Sequence, residues 1–164
     1  MRLKKKHIAA IALSVAICVG ATGCKSEEVK NTEKLIKEID STITLGSESA
    51  IEQAEAAYNA LGEEQKEVSN AQQLTDARAA YDELYQNEVA PVEQAIASIP
   101  DESALLTDDN AEKLVEAARL SYIRASEEAQ GLVSNYSVLE NAEKILEDAR
   151  VQNAIDAINQ IGDV

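Results

Sequence analysis

The run Tyr58-Asn59-Ala60-Leu61-Gly62-Glu63-Glu64-Gln65-Lys66 returns, loosely, as Tyr122-Ile123-Arg124-Ala125-Ser126-Glu127-Glu128-Ala129-Gln130. The match spreads outward from both runs. Downstream, Val68-Ser69-Asn70 returns as Val133-Ser134-Asn135, and Leu74-x-x-Ala77 as Leu139-x-x-Ala142. Upstream, Ile36-x-x-Ile39 returns as Ile96-x-x-Ile99. The offset drifts from 60 to 65, so insertions separate the copies, mainly between Pro100 and Thr107. A period of this size marks one supersecondary unit used twice, each copy burying its apolar face with help from its neighbour.

Both copies are written in helix formers. Ala, Glu, Lys, Gln and Leu dominate, and the whole chain holds two Pro and six Gly. The apolar spacing is helical. Ala50, Ala54, Ala57, Tyr58 and Leu61 share one stripe; Leu74, Ala77, Tyr81, Leu84 and Tyr85 share another. Leu114, Val115, Ala118, Tyr122 and Ala125 form a third, and Leu139, Ala142, Ile145, Leu146 and Ala149 a fourth. Ser49 with Glu52, Asp109 with Glu112 and Ser137 with Glu140 have capping-box spacing. Gly62 suits a left-handed helix stop after Leu61.

The expected fold is all-α, with two tandem three-helix bundles following an N-terminal signal segment. The expected divisions are a signal over 1–23, a tether over 24–32, one helical repeat over 33–89 and a second over 90–164. Pro91 costs a helix interior about 3 kcal/mol and predicts a kink or break where the copies meet. The last helix has no such Pro and is expected to run on through Val151, Ile155, Ile158 and Ile161. Its apolar stripe slips phase near Ala149 to Val151, as it must if the helix is to present a new face.

Two blocks resemble a three-helix repeat found in tandem in large cell-surface proteins of Gram-positive bacteria. They are Ala56-Ala57-Tyr58-Asn59-Ala60-Leu61-Gly62-Glu63-Glu64-Gln65-Lys66 and Val133-Ser134-Asn135-Tyr136-Ser137-Val138-Leu139-Glu140-Asn141-Ala142-Glu143. Gly62 and Ser126 stand where that family has Thr, and the second copy lacks Glu-Gln-Lys. The resemblance spans 33–161 and implies a spacer or adhesive module without catalysis. Ala154-Ile155-Asp156-Ala157-Ile158-Asn159-Gln160-Ile161-Gly162 looks like the opening helix of a third copy.

The N-terminus carries an address. Arg2, Lys4, Lys5 and Lys6 precede an apolar run from Ile8 to Val19, closed by small residues, as in an export signal. The run is shorter than the roughly 20 residues a spanning helix needs. Ala21-Thr22-Gly23-Cys24 resembles the lipobox of bacterial lipoproteins, departing at Ala21, where Leu is usual. The resemblance implies that Ala21, Thr22 and Gly23 are recognised by the signal peptidase. It also implies that Cys24 becomes the first residue and carries a diacylglycerol, the one lipid group expected. Two acyl chains hold a protein to a membrane far better than one.

The composition excludes whole classes of chemistry. The chain has 15 Lys plus Arg against 30 Asp plus Glu, no Trp or Phe, one His and two Cys. His7 and Cys18 lie in the N-terminal segment, so the chain after residue 24 has no His or Cys. A Ser-His-Asp triad, a Cys-His pair and a His-ligated zinc site cannot be built there. From Cys24 onward, 11 Lys plus Arg face 30 acids, a net charge of −19, which repels nucleic acid. Neighbouring acids such as Glu63-Glu64 and Asp108-Asp109 read as solvated helix starts, since adjacent residues do not share a helix face. The loop at Asp108 lacks the alternating ligands and Gly of an EF-hand, and no Gly-rich phosphate loop is present. Catalytic and metal-binding residues, cofactors and small-molecule substrates are therefore not expected.

Five Tyr are the only aromatics. Tyr58, Tyr81 and Tyr122 lie on apolar stripes and are expected in the core with hydroxyls at its rim. Tyr85 and Tyr136 are the candidate partner contacts, since Tyr is enriched in binding hot spots. The expectation is a non-enzymatic, exported, lipid-anchored helical protein on the outer membrane face, acting as a spacer or scaffold. The alternative is an adhesin-like module that docks an envelope or host protein through a helix face or the groove between repeats.

Overall fold

A computed structural model describes residues 25–162. The signal segment and Ala21, Thr22, Gly23 and Cys24 lie outside the described residues. Within them the chain is all-α: eight α-helices and two 3-10 turns, with no strand.

The first helix, α1 (Glu27–Glu38), starts on Ser26, whose Oγ accepts from the Val29 amide at 3.2 Å. Glu27 and Glu28 in its first turn complement the helix dipole. Residues 27–32, expected as part of the tether, are thus helical, and Val29 and Thr32 are buried. A capped start followed by an apolar residue draws this segment into the core. Thr32 satisfies its buried hydroxyl by donating to the Glu28 carbonyl at 2.9 Å.

A 3-10 turn, Leu45–Ser47, leads into α2 (Glu48–Ala60). Thr44 and Ser47 form the capping box here, ahead of the expected Ser49. The turn already satisfies the first amides, so Ser49 lies inside α2 and accepts from Gln53 at 3.2 Å. The other two expected caps shift as well. Asn110 is the N-cap of α6 (Ala111–Arg124), and Ser137 lies inside α8 (Tyr136–Gly162). Gly62 follows the end of α2 at φ 56°, the left-handed stop its position predicts.

After the 3-10 turn Gly62–Glu67 comes α3 (Ala71–Glu88), then α4 (Ala90–Ala97). Pro91 sits in the first turn of α4, where its missing N–H costs nothing. Val89 between them is fully buried, so the break is also a packing point. Two short helices, α5 (Glu102–Leu105) and α7 (Glu127–Leu132), start on the side chains of Asp101 and Ser126.

α1 packs on α2 and α3, and α4 packs on α6 and α8. The halves meet through α3 and α4, and through α7 against the Leu45–Ser47 turn. Ser126 at the start of α7 donates to Glu88 at the end of α3, at 3.0 Å. The core is aliphatic, with Ala54, Ala77, Ala111, Ala118, Ala129 and Ala142 all buried. Small residues at these positions let helix backbones approach closely. Tyr81 is the one Tyr in this buried set; Tyr58 and Tyr122 are half-buried.

Candidate functional site

Two side-chain clasps tie the residues leading into α3 to α1, and those leading into α8 to α4. On α1, the Glu33 carboxylate accepts from the Ser69 amide at 2.7 Å and the Ser69 hydroxyl at 2.6 Å. The Asn70 amide donates to the Glu33 carbonyl at 3.0 Å. On α4, Glu93 accepts from the Ser134 amide at 2.9 Å and hydroxyl at 2.5 Å, and Asn135 donates to the Glu93 carbonyl at 2.9 Å. The same atom of each Asn, Oδ1, is buried without a hydrogen-bond partner among the described residues. Lys25 adds a contact to Glu33, and Tyr85 donates to Glu93 at 3.1 Å.

These bonds favour the ionised carboxylates. Lys25, then the hydroxyl and amide of Ser69, pull Glu33 down to about 2. The Ser134 hydroxyl and amide hold Glu93 below the usual carboxylate range. Charge-assisted bonds of this kind are stronger than neutral ones. The clasps escaped the sequence reading. Their trace was present: Glu33 and Glu93 each precede the matched Ile by three residues.

A further polar cluster lies between α6 and α8. Arg119 forks onto Glu143, with Nε to Oε1 at 2.5 Å and a second contact from Nη2. Its Nη1 donates to the Tyr136 hydroxyl at 3.1 Å. The guanidinium stands 5.9 Å from the Tyr122 ring and 5.6 Å from the Tyr136 ring, and the two rings stack at 4.3 Å. Glu143 first, then Tyr136, raises the Arg119 pKa further. The result is a cross-helix strut whose cation is already engaged.

The two Tyr expected as partner contacts are therefore both half-buried and bonded within the fold. Tyr85 packs beside Tyr81, at 6.4 Å between rings, and burial raises its pKa, helped by Glu93. Burial also pushes Tyr81 up to about 12, with Glu48 acting in the same direction. The Tyr81 hydroxyl itself is buried rather than at the rim.

Two shallow grooves accompany these elements. One of about 660 Å³ runs between α6 and α8, rimmed by Glu112, Glu116, Glu147 and Arg150. The other, about 800 Å³, lies where the halves meet and is lined by Asn87, Pro91, Leu120 and Arg124 among others. No group of three or more metal-ligating side chains is assembled among the described residues. None of their helices is long and apolar enough to cross a membrane. The chain matches no family model, no curated protein and no solved structure.

Proposed function

We propose that this chain is a lipid-anchored cell-surface protein of the bacterial envelope, built from two tandem helical repeats and acting as a spacer or scaffold. The observation that carries the reading is the doubled clasp. Glu33 with Ser69-Asn70, and Glu93 with Ser134-Asn135, use the same donor and acceptor atoms. An architecture that repeats its internal bonds is suited to extension by neighbour contacts. The anchor is assigned to Cys24, and the strongly acidic body stays solvated beyond it.

Intact mass of the chain extracted from membranes tests the anchor. The expected species starts at Cys24 and carries acyl chains; a mature mass without them removes the lipid reading. Crosslinking in intact cells tests the spacer role, and recovery of one stoichiometric partner of another kind would overturn it. The groove where the halves meet favours a second reading as a binding module. Its wall residue Leu120 is partly exposed, and Ile123 one turn along α6 is 56% exposed.

A further inference from the structure

The last three turns of α8 carry an apolar face that is left uncovered among the described residues. Val151, Ile155, Ile158 and Ile161 are 50%, 46%, 67% and 77% exposed. At about 100° per residue these four share an arc of ~120° with Ala154. The earlier part of the same helix buries Leu139, Ala142 and Leu146. The two stripes differ in direction by ~130° on the same count, so the bundle that covers the first cannot reach the second.

The free face has two buried counterparts. Val29, Thr32, Ile36 and Ile39 on and just after α1 form one quartet; Val89, Val92, Ile96 and Ile99 at α4 form the next. Val151, Ala154, Ile158 and Ile161 repeat the same steps of 3, 4 and 3 residues. All eight earlier members are buried, which shows what such a face does when a helix lies against it.

We propose that this face docks the same helix of a second copy of the chain, in antiparallel register. Charge selects that occupant. Residues 25–150 hold 11 basic against 28 acidic side chains, a net charge of −17, whereas 151–162 hold a single charge, Asp156. Two such bodies repel one another, so like copies can meet only where charge is scarce. Asp156 is turned away from the apolar arc and is bonded by Gln152 at 2.9 Å. An antiparallel pair centred between Asp156 and Ala157 sets Ile155 against Ile158 of the second copy, each contact made twice by symmetry. It also leaves the two acidic bodies at opposite ends.

Other occupants fit less well. A helix that lies on anionic lipid carries Lys or Arg along its polar side, and 151–162 has none. A basic partner would be drawn to the acidic body instead. The paired segment is about 18 Å long. A contact of this length belongs with the small, transient interfaces, so pairing is expected only at high local concentration.

Sedimentation equilibrium of the full chain in detergent, over a wide concentration range, tests the pairing. Wild type is expected to shift from one copy to two. Ile158→Lys should weaken that shift by more than ~10-fold, whereas Gln160→Lys, on the far face, should leave it in place. A wild type that stays monomeric, or equal effects from both variants, overturns the proposal. Circular dichroism checks that both variants keep their helix. A photocrosslinker at position 159, on the rim of the face, identifies the occupant in cells. An adduct of two identical chains supports the proposal; adducts only with another protein or with lipid overturn it.

Discussion

Arg119 on α6 and Glu143 on α8 make the same cross-helix fork as Glu55 on α2 and Arg78 on α3, with the charges exchanged between helices. In the first half Arg78 reaches Glu55 at 2.8 and 2.6 Å; in the second, Arg119 reaches Glu143 by the same Nε and Nη2 atoms. The position requires opposite charges, not a particular order of them. Arg119→Glu and Glu143→Arg should each lower stability by about 1 kcal/mol, kept modest because these side chains remain about a third exposed. The double exchange should recover most of the loss in urea unfolding. If the double variant loses the sum of the single losses, the pair contributes nothing as a pair.

The clasps predict a specific acid response. Bonding lowers the folded pKa of Glu33, to about 2, and of Glu93. Their stabilisation is therefore complete above the unfolded value of about 4.3 and drains away as pH falls toward the folded values. Glu33→Gln/Glu93→Gln removes the ionisation but keeps a similar shape. Its thermal midpoint should fall below wild type at pH 7, with the gap closing as pH drops below about 4. A gap of constant size from pH 7 to pH 3 would mean that the carboxylate charge is not what the clasps use.

Much of this fold was legible because its elements follow 3.6-residue spacing over long stretches. α3, α6 and the start of α8 bury the stripes expected of them: Leu74, Ala77 and Tyr81, then Val115 and Ala118, then Leu139, Ala142 and Leu146. The run-on of α8 through Ile161 was legible from its lack of Pro, and the slip of its stripe matches the face left exposed there. The polar geometry was not legible. A carboxylate that bonds a Ser 36 or 41 residues away leaves no local signal, because the pairing depends on how two helices dock. Tyr85 and Tyr136 looked free for the same reason, since Glu93 and Arg119 reach them only in the folded chain.

α2 shows where periodicity alone misplaces a core. Its spacing drew the stripe through Ala50, yet Ala50 is exposed and Ile51 beside it is fully buried. An Ala-rich helix offers several equally spaced stripes, and α2 turns inward the one that carries Ile51 and Ala54. Ile51→Ala should cost about 2–5 kcal/mol. Ala50→Ser should stay within about 0.5 kcal/mol of wild type. Denaturant midpoints at equal slope check both, and comparable losses would return Ala50 to the core.

Gly62 and Gly131 should respond to Ala with opposite signs, although a Cβ at either meets nothing within 4 Å. The difference lies wholly in the backbone. Gly62 holds φ 56° at the end of α2, where an L side chain is strained by about 1–2 kcal/mol. Gly131 lies within α7, outside the left-handed region, where Ala restricts the unfolded chain and favours the helix. Gly131→Ala should therefore raise stability by about 0.5–1 kcal/mol. Gly62→Ala should lower it by a similar or larger amount, and urea unfolding of the two single variants reads both. A loss at Gly131 would mean that α7 contributes through a conformation other than the helix seen here. A gain at Gly62 would mean that α2 can end without its left-handed residue, leaving the Gly62–Glu67 turn to be set by the Gln65 side chain, which donates to the Tyr58 carbonyl at 3.1 Å.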